Sequence, residues 1–130
     1  MSRLQLALNV KDLDAATRFY STLFATEPSK RRPGYTNFAI ANPPLKLVLF
    51  ENPTAADKLN HLGIEVESSE QVAEESDRLK KASLPVRSDQ QTTCCYALQD
   101  KAWVTDPDRD DWEIYTVLED AETLACSTCT

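Results

Sequence analysis

Residues 4–10 alternate cleanly. Leu4, Leu6, Leu8 and Val10 share one face of an extended strand, and Gln5, Ala7 and Asn9 share the other. Asp12 is placed to cap a helix running to about residue 25. Within it Leu13, Ala16, Tyr20, Leu23 and Phe24 recur at helical spacing and make one apolar stripe. Three short strands are predicted next, over 28–30, 35–41 and 45–50, with Pro33-Gly34 and Asn42-Pro43-Pro44 as the turns between them. Glu51-Asn52-Pro53-Thr54 reads as a connector.

The pattern then begins again. Asn60-His61-Leu62-Gly63-Ile64-Glu65-Val66 repeats the first strand, with Leu62, Ile64 and Val66 on one face and His61, Gly63 and Glu65 on the other. Ser68-Ser69-Glu70-Gln71 has the form of a capping box, in which the Ser68 hydroxyl and the Gln71 side chain satisfy each other's orphan amides. The helix it opens runs to about residue 83, where Pro85 forbids continuation. Its apolar stripe, Val72, Leu79 and Ala82, is thin. Strands are predicted over 94–98, 102–105 and 112–118, the last two parted by the turn-rich Asp106-Pro107-Asp108-Arg109-Asp110.

Both halves therefore read strand, helix, three strands. Superposing the first strands places Gln5 on His61 at an offset of 56, and superposing the last strands places Lys46 on Glu113 at an offset of 67. The second half is longer by 11 residues, and the excess is assigned to a loop around Thr92-Thr93-Cys94-Cys95-Tyr96. Two copies of so long a period make a duplicated module rather than a solenoid. One domain over 1–120 is predicted, with module one at 1–52 and module two at 57–120. Residues 121–130 form a cysteine-containing tail.

Composition narrows the chemistry. The 130 residues carry 21 Asp and Glu against 14 Lys and Arg, a net charge of -7, which disfavours a nucleic-acid partner. Lys30-Arg31-Arg32 reads as a solvated turn. The N-terminal segment lacks a secretory pattern, and no apolar run approaches the ~20 residues of a membrane span. A cytoplasmic protein without membrane contact is the expectation, its four cysteines held as thiols.

On the faces opposite the aliphatic rows stand Gln5, His61 and Glu113. If the two modules curve into one surface, an amide, an imidazole and a carboxylate can converge there, close to the set that holds ferrous iron in oxygen-activating enzymes. A lone strand histidine is also a common structural residue, and pattern alone leaves both readings open. Cys94 and Cys95 have two readings as well. They are incidental neighbours on opposite faces of a strand, or, on irregular backbone, a chelating pair for soft centres such as trivalent arsenic or cadmium. Too few partners exist nearby for a closed zinc site. Cys126 and Cys129 have redox or zinc-knuckle spacing but lie in the tail.

The paired modules resemble the vicinal oxygen chelate superfamily, which includes glyoxalase I, bleomycin-resistance proteins and extradiol dioxygenases. Within it the chain resembles the arsenic–carbon lyase and cadmium-induced protein family. The matching stretches are 4–10, 32–40, 43–49, 59–63, 92–96, 100–104 and 112–118, and the adjacent cysteines of Thr92-Thr93-Cys94-Cys95-Tyr96 set that family apart. The resemblance implies an α+β fold: two βαβββ modules in a curved mixed sheet around a metal site. It also implies a non-haem Fe(II) dioxygenase that uses O2 to cleave the carbon–arsenic bond of methylarsenite and trivalent aromatic arsenicals, releasing arsenite. Carried over by position, Gln5, His61 and Glu113 hold Fe(II), and Cys94 and Cys95 hold the arsenic of a small-molecule trivalent organoarsenical. Lys46 stands where glyoxalase I-like relatives supply a fourth, carboxylate ligand. Tyr96, Lys101 and Trp103 are candidates for the pocket wall, and Cys126 and Cys129 for a product relay. The protein is a monomer or a homodimer on this reading. The alternative is a thiol-based arsenic- or cadmium-binding resistance protein without catalysis.

Overall fold

In a computed structural model, residues 2–94 and 97–120 are described, with side chains except those of 89–94, 97, 98, 119 and 120. The order is β1 (Arg3–Val10), α1 (Leu13–Leu23), β2 (Lys30–Arg32), β3 (Tyr35–Ile40), β4 (Leu45–Glu51), then β5 (Leu59–Glu65), α2 (Ser69–Lys81), β6 (Arg87–Cys94), β7 (Ala97–Thr105) and β8 (Asp111–Asp120). This is βαβββ twice, an α+β fold with mixed strand pairing. The chain gathers into two compact units, Arg3–Leu62 and the chain from Gly63 onward.

In the first unit the strands run β2-β3-β4-β1, followed by the start of β5. β1 and β4 are parallel, in a register that sets Gln5 opposite Lys46 and Leu6 opposite Leu47. β3 is antiparallel to β4, with Phe38 opposite Leu47. Paired residues share a face, so Leu8, Val10, Phe38, Ile40, Leu47 and Leu49 form one core. From α1, Leu13, Ala16, Tyr20 and Phe24 pack against it. Asp12 caps α1 as expected, its carboxylate accepting the Ala15 amide at 3.0 Å. Leu23, however, is exposed. The stripe is rotated toward Thr17, which is buried and hydrogen bonds Thr36 on β3, and Leu23 falls off its edge. Gly34 turns between β2 and β3 at φ +72°, a conformation open to a residue without Cβ. That turn also places β2 at Lys30–Arg32 instead of 28–30, because the ladder closes with Arg32 opposite Tyr35.

The other face of this sheet is not the solvated face that strict alternation implies. Gln5, Ala7, Tyr35, Asn37, Val48, Phe50 and His61 are all buried.

In the second unit the rest of β5 is followed by β8-β7-β6. Val66, Val72, Ala102 and Ile114 form its core, joined by Ile64, Leu79 and Val86. The helix contributes Val72 and buried Ser76, one turn apart, while Ala82 lies beyond its end as the C-cap. Ser68 Oγ accepts the Gln71 amide at 3.2 Å. The return bond reaches one residue further than the capping-box expectation, with Gln71 Oε1 accepting from the Glu67 amide at 2.7 Å.

The largest correction concerns the 11 extra residues. Most of them lengthen regular elements instead of a loop: β6 and β7 span 8 and 9 residues where β2 and β3 span 3 and 6, and α2 spans 13 where α1 spans 11. β6 and β7 pair antiparallel up to Cys94 opposite Ala97, with a register shift between Asp89 and Thr92. The sequence pattern predicts no strand over 87–93 and starts one at Cys94, where β6 instead ends.

Candidate functional site

Gln5 and His61, matched residues of the two copies, are brought together inside the first unit. Gln5 Nε2 and His61 Nε2 stand 3.1 Å apart, and both side chains are about 95% or more buried. β1 supplies Gln5 from the face opposite its leucine row, and β5 supplies His61. The imidazole ring centre lies 6.5 Å from that of Phe50. On its other side Nδ1 contacts Asn60 Oδ1 at 2.8 Å.

These two residues fit a metal on their donor chemistry. At 3.1 Å apart the two side-chain ends are near enough to be donors to one ion. A half-turn of the Gln5 amide about its terminal bond presents Oε1 where Nε2 now stands, giving an oxygen donor beside an imidazole nitrogen.

Glu113 lies in the second unit, also buried, and Lys101 Nζ meets its Oε2 at 3.1 Å. The pairing follows from register. Trp103 is directly opposite Glu113 and Lys101 opposite Tyr115, so Lys101 and Glu113 are diagonal neighbours on one face of the β7–β8 ladder. Two buried charges without such a partner would each carry a desolvation cost of several kcal/mol. A carboxylate with an ammonium on one oxygen can still ligate through the other, so Glu113 fits a carboxylate ligand by its donor type.

Lys101, anticipated as pocket lining, is the counter-ion of Glu113 and also lines a cleft of about 220 Å³ with Ser69, Val72, Ser76, Ser88 and Asp100. Its Nζ also lies 5.5 Å from the Trp103 ring centre, and Arg87 lies 5.6 Å from the same ring. Trp103 lines a cleft of about 420 Å³ together with Pro85, Val86, Arg87, Thr105 and Asp111. Nothing in the sequence pattern announces the pairing of Lys101 with Glu113. A lysine between Asp100 and Ala102 reads as solvent-facing until the register shows which carboxylate shares its face.

Cys94 closes β6, and its side chain is outside the described set. Cys95, Tyr96, Cys126 and Cys129 lie outside the described residues. Lys46 lies on β4, opposite Gln5 in register. Among the described residues no three His, Cys, Asp or Glu side chains gather. No described helix is long and apolar enough to cross a membrane.

The turn that leads into β8 is built on Asp106. Its Oδ1 accepts the amides of Asp108 and Asp110, at 2.9 and 3.0 Å, and its Oδ2 accepts Trp112 Nε1–H at 3.2 Å. The Asp110 amide most of all, then the Trp112 indole, holds the Asp106 carboxyl below the usual carboxylate value. Arg109 takes φ +70° within this turn. The hydrogen bonds fix the entry of β8, the strand that carries Glu113.

Comparison with known proteins gives the following. The profile of the Glyoxalase/Bleomycin resistance protein/Dioxygenase superfamily matches residues 3–114. The chain is 62% identical over 124 residues to the cadmium-induced protein CadI of Mycobacterium tuberculosis, covering 95% of this chain and 82% of that one. It is 57% identical over 126 residues to the trivalent organoarsenical cleaving enzyme of Thermomonospora curvata, covering 96% and 83% respectively. Among solved structures, the Mn(II)-bound glyoxalase from Novosphingobium aromaticivorans has the same fold, with a TM-score of 0.65 at 17% identity over 98% of this chain and 44% of that one.

Proposed function

Because the chain belongs to the glyoxalase/bleomycin resistance protein/dioxygenase superfamily, we propose that it is an Fe(II)- and O2-dependent enzyme cleaving the carbon–arsenic bond of trivalent organoarsenicals. Methylarsenite and trivalent aromatic arsenicals are its substrates and arsenite its product. The observation that carries the reaction is the 57% identity, over nearly the whole chain, to a trivalent organoarsenical cleaving enzyme.

Gln5, His61 and Glu113 are the proposed iron ligands. The duplication supports this set. Gln5 and Lys46 are register partners in the first copy, and His61 and Glu113 are their counterparts in the second at offsets of 56 and 67. One copy thus contributes an amide beside a lysine, which cannot ligate, and the other an imidazole and a carboxylate. Three protein ligands leave further positions for small molecules. When bound, ferrous iron supplies the activation of O2 that this reaction requires.

The protein's own groups do the rest. Cys94 and Cys95 capture trivalent arsenic as thiolates, since a soft acid displaces thiol protons. Capture immobilises the carbon–arsenic bond, so the reaction gains by proximity. Lys101 orients Glu113 through their buried contact. For methylarsenite, one O2 consumed per substrate balances the formation of formaldehyde and arsenite. Residues 1–120 are the catalytic domain, and Cys126 and Cys129 in the tail hand arsenite onward.

The test is iron content together with O2 uptake on adding methylarsenite. Uptake equal to the arsenite and formaldehyde formed, and dependent on Fe(II), is the expected result. Iron-loaded protein that consumes no oxygen with methylarsenite sinks the reading.

A further inference from the structure

The contacts behind His61 form a chain of amides that ends on a backbone carbonyl. Asn9 Nδ2 lies 3.1 Å from the carbonyl oxygen of Asp57. A carbonyl only accepts, so this end of the Asn9 amide must be the donor, and Oδ1 is turned the other way. Asn9 Oδ1 receives Asn60 Nδ2 at 3.0 Å, which in turn fixes the Asn60 amide. Asn60 Oδ1 is left facing His61 Nδ1 at 2.8 Å. An amide oxygen only accepts, so Nδ1 must carry the proton.

In the neutral ring the lone pair is then on Nε2, the nitrogen 3.1 Å from Gln5 Nε2. As the Gln5 amide stands in the metal-free chain, its N–H can donate into that lone pair. Asn9 is pinned as well by its main chain, whose amide donates to Lys58 O at 2.6 Å. All of these residues lie in the compact unit Arg3–Leu62.

We infer that Asn9 and Asn60 are positioning residues that lock His61 in its Nδ1–H tautomer and so present Nε2 to a metal. A partner on the non-ligating nitrogen commonly fixes tautomer and ring orientation in histidine metal sites. Here a neutral amide relay anchored on the Asp57 carbonyl does this work. A carboxylate beside the ring would also add charge, whereas the relay selects the tautomer without doing so. The functional consequence rests on the proposed iron site, but the tautomer is a property of the metal-free chain.

That separation makes the test clean. His61 is the one histidine in the sequence, so its ring nitrogens assign themselves in a long-range proton–nitrogen correlation spectrum of the ¹⁵N-labelled, metal-free, full-length protein at alkaline pH. The wild type should show a protonated-type shift at Nδ1 and an unprotonated-type shift at Nε2. Asn60→Ala should move the ring toward the Nε2–H form, which an unconstrained histidine prefers, and weaken Fe(II) binding roughly 10- to 100-fold. Asn60→Asp keeps the acceptor and should restore both the spectrum and the affinity. Asn9→Leu, two residues removed from the ring, should yield a mixture of tautomers.

A wild-type ring in the Nε2–H form overturns the inference, even if no variant folds. So does a wild-type spectrum that survives in Asn60→Ala. The predicted tautomer in a protein that never binds Fe(II) upholds the relay and removes the iron reading instead.

Discussion

Lys101 Nζ and Glu113 Oε2 stand 3.1 Å apart on the β7–β8 ladder, with almost no side-chain area left to solvent on either residue. A buried pair of this kind is costly to break from one side, because the remaining charge keeps its desolvation penalty and loses its partner. Lys101→Met should therefore destabilise the metal-free protein by about 3 kcal/mol, read as a lower urea midpoint. If Glu113 is a ligand, saturating Fe(II) supplies a replacement positive charge and recovers part of that loss. The same midpoint shift with and without Fe(II) would take Glu113 out of the ligand set.

His61→Ala separates catalysis from sequestration. The relative named for induction by cadmium keeps open a role in which thiols alone hold the metal or metalloid. On the proposed function, the variant loses iron and oxygen uptake together, and cells expressing it lose protection against methylarsenite. Protection that persists, in proportion to the protein present, would favour sequestration by Cys94 and Cys95.

Replacing Cys94 or Cys95 with serine should leave iron content at the wild-type level while turnover of methylarsenite falls to background. A hydroxyl is a hard donor that does not hold trivalent arsenic as a thiolate does. Loss of iron in either variant would mean that the thiols belong to the metal site.

Asp106 gives a prediction in pH. Its carboxyl is held below the ordinary value of 3.8, mainly by the Asp110 amide and the Trp112 indole. A carboxyl depressed on folding contributes stability that is complete above the unfolded value and fades as pH falls through the folded one. The stability gap between wild type and Asp106→Asn should be widest near neutrality and narrow on acidification below about 3.8. Urea midpoints for both proteins over that range measure it, and a gap independent of pH would show that charge at Asp106 is not what holds the turn.

The two-copy plan and the first helix cap were legible in the sequence because they rest on local physics. Period-2 alternation marks β1 and β5, and an Asp or Ser ahead of a helical stripe marks each helix start. Gln5 and His61 could be singled out for the same reason, since a duplication makes equivalent positions readable without coordinates. Arg87-Ser88-Asp89-Gln90-Gln91-Thr92-Thr93, by contrast, has no apolar alternation and was not read as a strand. Its strand exists because β7 offers a ladder of unpaired amides and carbonyls, and strand propensity yields to such a partner.

Sequence by itself thus determined the order of elements, the pairing of Gln5 with His61 as equivalents, and the thiols as soft-ligand candidates. Tertiary structure alone decided which polar atoms meet. That the Gln5 and His61 nitrogens come within 3.1 Å, that Lys101 answers Glu113, and that an amide relay runs from Asp57 through Asn9 and Asn60 to the imidazole all depend on strand register. Register is set by the hydrophobic faces of several strands at once. Hydrogen-bond direction then follows from which groups can only accept, and that can be traced only once the register has placed them side by side.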